Sequence, residues 1–93
     1  MASNEIRFYS GEVKEVTAVV HSRTDNEIVV INSASYELRT IPQNLIVEEG
    51  VCEVKGNEAL VLLEMNEKGI YEITVTAHVG REKIIEKSMI KVI

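Results

Sequence analysis

The chain has 93 residues, 45% of them hydrophobic, which makes one domain with one core and excludes a two-domain arrangement. Its net charge of −5 and pI near 5.0 argue against nucleic acid or an anionic membrane as a partner, because phosphate binding needs clustered Lys and Arg. The one cysteine, Cys52, excludes an internal disulfide and favours a reducing compartment over secretion.

Apolar and polar residues alternate with period two along most of the chain, and apolar spacing of three and four is sustained nowhere, so strands are expected and helices are not. Met1 to Arg7 shows no basic segment followed by an apolar run, which makes synthesis in the cytoplasm the expectation. No window approaches the ~20 apolar residues of a membrane helix. Ile6 to Tyr9 reads as a first strand and Val13 to His21 as a second, with Val16, Ala18 and Val20 on one face. Ser22 to Glu27 is polar and turn-like. Ile28 to Ile31 is continuously apolar, and Asn32-Ser33 interrupts it, as a bulge or a switch between sheets, before the clean alternation of Ala34 to Thr40.

Pro42 has no N–H for a ladder and marks an edge or a connection. Asn44 to Glu48 and Val51 to Lys55 then suggest a hairpin about Glu49-Gly50, and Gly56-Asn57 supplies the next tight turn. Ala59 to Met65 reads as a strand with Ala59, Val61, Leu63 and Met65 inward. Its other face carries Leu60 and Leu62, unusually apolar for a surface, which predicts that something covers it. Tyr71, Ile73, Val75, Ala77 and Val79 form the cleanest inward face. Gly80-Arg81 turns the chain into a last strand, Glu82 to Ile93, whose Lys83, Lys87 and Lys91 among Glu82 and Glu86 read as protection of an exposed edge.

Residue types that carry chemistry are scattered. His21 and His78 stand alone, and Cys52 has no partner at metal-ligand spacing, so no metal or other cofactor is expected. Asp25, Asn26 and Glu27, and likewise Glu48 and Glu49, lack the alternation of a calcium loop and read as solvated turns. Alternation puts Cys52 on the same face as Val54, as a buried structural thiol without a neighbouring base. Ser10 and Ser33 also lack a base, no glycine-rich phosphate loop is present, and no enzyme is expected. Phe8, Tyr9, Tyr36 and Tyr71 are the only aromatics, too few for a sugar-stacking platform once Tyr36 and Tyr71 turn inward.

The run Lys68-Gly69-Ile70-Tyr71-Glu72-Ile73 specifies the fold most sharply. A glycine two residues before a strand-opening tyrosine fits a tyrosine corner, in which the ring faces the core and the hydroxyl bonds backbone a few residues upstream. Ile73 stands where antibody domains place the second cysteine of their inter-sheet bridge, so aliphatic packing replaces the disulfide. Turn signals every eight to twelve residues then predict an all-β, immunoglobulin-like two-sheet β-sandwich of seven to nine strands.

With Ser10-Gly11, Ala34 to Leu38, Gly50 and Lys68 to Val75, the chain resembles the small immunoglobulin-like proteins among the structural genes of tailed bacteriophages and prophages. The resemblance implies a virion protein, assembled in the bacterial cytoplasm, that decorates or joins capsid, collar or tail subunits. Its partners are then other virion proteins or further copies of itself, met through Leu60 and Leu62 or by strand addition at the first or last strand. A different class, a host-surface or glycan-binding module, would use Tyr9. A third, an intracellular accessory domain, would be separated from the first by gene neighbourhood.

Overall fold

The computed structural model describes residues 5–21 and 29–93, which form eight strands and no helix. They are β1 (Glu5–Phe8), β2 (Glu12–Val19), β3 (Ser33–Ile41), β4 (Ile46–Val51), β5 (Glu53–Lys55), β6 (Glu58–Met65), β7 (Gly69–Val79) and β8 (Glu82–Val92). A five-stranded sheet in the order β1-β8-β7-β3-β4 packs on a three-stranded sheet in the order β2-β6-β5. All neighbours are antiparallel except β1, which lies parallel to β8 with Glu5 opposite Met89. With β6 and β7 joined by a tyrosine corner, this is the all-β, two-sheet sandwich that the sequence predicts.

The core follows from the alternation. Phe8 and Ile90, with Tyr71, Ile73, Val75 and Ala77 of β7, turn inward from the large sheet; Val16, Ala59, Val61, Leu63 and Met65 answer from the small one. Every inward position expected on β6 is buried, and on β7 all but the half-buried Val79. No polar or charged side chain of the described residues is buried. Such a core is held by area removed from water and close packing and asks for no internal polar network.

The Asn32-Ser33 interruption is a sheet switch. The Ile31 N–H donates to the Gly56 carbonyl at the β5–β6 turn, and the next N–H, of Asn32, donates to His78 of β7. The chain therefore leaves one sheet and joins the other within two residues. Ser22 to Glu27 and Ile28 lie outside the described residues.

Two sequence expectations are corrected. Glu49-Gly50 is not a hairpin, because β4 runs straight through both residues as the edge of the large sheet, and the chain crosses to β5 in the small sheet at Cys52. Gly50 is needed for a different reason: a Cβ there would stand 3.2 Å from the Tyr36 ring opposite it. The last strand is not an edge along its whole length either. β1 covers β8 from Met89 to Val92, leaving only Glu82 to Ser88 open among the described residues. Strand addition is therefore open at β1 itself, whereas the carboxyl half of β8 is occupied.

Candidate functional site

Tyr71 ties the corner. Its hydroxyl donates to the Glu67 carbonyl at 2.8 Å, four residues upstream, while the ring lies in the core. Gly69 has φ of +148°, a region that favours glycine, and lets the chain swing from Met65 into β7. Ile73 is buried two residues on, in aliphatic contact where an inter-sheet disulfide would otherwise sit. Burial and the neighbouring Glu67 charge both raise the Tyr71 phenol above its ordinary value, so it serves as a neutral hydrogen-bond donor. Ser10 of the β1–β2 turn donates through its hydroxyl to the Asn66 carbonyl and binds that turn to the corner.

Cys52 is buried beside Ala34, to whose carbonyl its N–H donates at 2.9 Å. Burial raises its thiol above the ordinary value, which disfavours the thiolate a nucleophile requires. Among the described residues no three His, Cys, Asp or Glu side chains gather as metal ligands. His78 sits exposed on β7 between Ser33 and Lys83, and Asp25, Asn26 and Glu27 lie outside the described residues.

A shallow depression of about 310 Å³ opens beside the corner, walled by Val47 and Glu48 of β4, Leu38 and Thr40 of β3, and Glu64 and Met65 of β6. Its acids are committed in part to neighbours. Glu48 accepts from the Tyr36 hydroxyl at 2.7 Å and Glu64 from the Asn66 amide at 2.9 Å. Desolvation of the Tyr36 ring, together with this bond and the Glu48 charge, pushes that phenol up to about 12.

The outward face of the small sheet is the more distinctive surface. Register sets Val13, Glu15, Thr17 and Val19 of β2 opposite Glu64, Leu62, Leu60 and Glu58 of β6, and brings Glu53 and Lys55 of β5 alongside. Leu62 is 69% exposed, with only Glu15 of β2 opposite it; Leu60 points the same way but is half-buried, with Glu53 and Thr17 flanking it. Val13 and Val19 are exposed at the two ends of β2. The structure thus brings Leu60 and Leu62 together in one aliphatic stripe bordered by carboxylates.

Tyr9 is 67% exposed but lies beyond the end of the β2–β6 ladder, in the turn after β1, and does not join that stripe. One apolar group escaped the sequence reading. Leu45, Ile46 and Val47 are all exposed at the β4 edge, where register slips between Leu38 and Arg39 and Val47 bulges out of the ladder. Three aliphatics in a row after the Pro42 turn are the signal for it.

No protein-family model matches the chain, and no curated protein matches it. A crystal structure of an engineered protein, at 1.98 Å, matches over 99% of this chain with a TM-score of 0.74 and 14% identical residues. The chain spans 18% of that protein's length. At that identity the likeness speaks to architecture alone, and it establishes the two-sheet β-sandwich.

Proposed function

We propose that the chain is a non-catalytic contact domain, a component of a bacteriophage or prophage particle that decorates or joins capsid, collar or tail subunits and is assembled in the bacterial cytoplasm. The observation that carries the contact role is Leu62, left in water midway along a strand that buries every inward residue. An isolated surface leucine is ordinary, but Leu62 shares its face with Leu60, Val13 and Val19, and aliphatic side chains set among charged ones on one face are a common composition of a docking surface. The particle itself is what the sequence resemblance implies.

Quantitative mass spectrometry of particles purified from the source strain tests the reading. The chain is expected at a fixed copy number per particle, and a variant with Leu60→Ser and Leu62→Ser, folded by circular dichroism, is expected to be lost from them. Absence of the wild-type chain from intact particles overturns the reading. Retention of the folded variant at wild-type level removes the stripe from it. Tyr9 supports a second reading, a glycan-binding module on a host-facing surface; this expects saturable binding to cell-wall polysaccharide that Tyr9→Ala abolishes.

A further inference from the structure

The outward face of the small sheet and the outward strip of β8 are unlike in charge, although Glu5, Glu37, Glu49 and Glu72 of the neighbouring strands share the face of that strip. On the small sheet Glu15, Glu53, Glu58 and Glu64 face outward with one cation, Lys55, and none of them takes part in an ion pair among the described residues. On the opposite side of the molecule the outward positions of β8 read Lys83, Ile85, Lys87, Met89 and Lys91. Lys87 holds Glu72 at 3.9 Å, whereas Lys83 and Lys91 hold no acid among the described residues. Both strips set aliphatic side chains between charges: Glu58, Leu60, Leu62, Glu64 on β6, and lysines around the exposed Ile85 on β8.

We propose that the occupant of the small-sheet face is the β8 strip of a second copy of this chain, so that copies stack head to tail. The inference rests on the contact role given to that face above and names its partner. Charge decides the pairing. Small sheet on small sheet would set four carboxylates of one copy against four of the next, and β8 on β8 would set lysines against lysines; only the unlike pairing puts acid against base and leucine against isoleucine. Because the two faces are on opposite sides of the sandwich, each added copy exposes a fresh acidic face and a fresh basic strip, and such a heterologous contact propagates instead of closing. The footprint is small. Two strands of eight residues and one of three span at most about 14 by 26 Å, well under the ~800 Å² per partner of a stable interface, so single contacts are weak and accumulate with concentration.

Sedimentation velocity on the purified chain over a hundredfold range of concentration tests this. The weight-average mass is expected to rise at least twofold above the 10.4 kDa of the monomer. Glu15→Lys with Glu64→Lys, and separately Lys83→Glu with Lys91→Glu, are each expected to hold the chain at monomer mass. One chain carrying all four reversals is expected to associate again, because its faces are complementary once more. A wild-type chain that stays monomeric throughout overturns the proposal, as does a folded single-face variant that associates as the wild type does. Head-to-tail stacking and particle membership fail separately: a monomeric chain still found in purified particles ends the first and leaves the second standing.

Discussion

Tyr71 is fixed at both ends, ring in the core and hydroxyl on the Glu67 carbonyl, so Tyr71→Phe removes one hydrogen bond and keeps the packing. A loss of about 1 kcal/mol, or roughly 4–8 °C in Tm for a domain of this size, is expected in chemical and thermal denaturation. Neighbours on β6 differ far more. Leu63 is 0% exposed, and Leu63→Ala is expected to cost about 3–5 kcal/mol, whereas Leu62→Ala, measured on dilute protein, is expected within about 0.5 kcal/mol of wild type. Equal losses at the two positions would contradict the alternation on which the fold rests. Tyr36 sets a limit in alkali. Its phenol is raised from 10.0 to about 12, so between those pH values the unfolded chain has lost a proton that the folded chain keeps. That difference favours unfolding, and stability is expected to fall as pH climbs from about 10 through 12, less steeply in Tyr36→Phe. Urea midpoints across that range check the slope.

At the scale of elements, the pair Tyr36 and Gly50 joins β3 to the edge strand β4. A side chain at position 50 would meet the ring at 3.2 Å, so Gly50→Val is expected to displace Tyr36, break its bond to Glu48 and cost about 1–3 kcal/mol. The same displacement returns the high-pH phenol towards 10.0, visible by ultraviolet difference titration. Gly50 also shows where sequence reading ended. A glycine after Glu48-Glu49 has the local look of a turn, and only the opposing tyrosine, fourteen positions away in the chain, shows that it is a close approach inside a strand. β6, β7 and the corner were legible because their signals are local: strict alternation, and a glycine and a tyrosine at fixed spacing. The place of β8 was not. Whether its lysines guard an edge depends on β1, whose partner Met89 lies far along the chain from Glu5 and carries no pairing mark in its own residues. Of the expected contact residues, Leu60 and Leu62 were legible from period two. Tyr9 could not be assigned to their face, because a turn residue obeys no alternation.

At the scale of the molecule, the polar side chains of the described residues lie outside an apolar core, and the side chains that remain unexplained by folding are on the outward faces. That distribution supports the proposed contact role, in which the small-sheet face is the docking surface. Lys55 of β5 is the reporter on that face, standing opposite Glu58 of β6, and the exposed Lys68 in the corner loop is its internal control. The most direct measurement is the rate of acylation of these two lysines in intact purified particles and in the free chain, read by mass spectrometry. Lys55 is expected to be protected at least several-fold in particles while Lys68 reacts at its free rate. Equal rates for Lys55 in the two states would show that the face is open to water in the assembled particle, and would contradict the central claim.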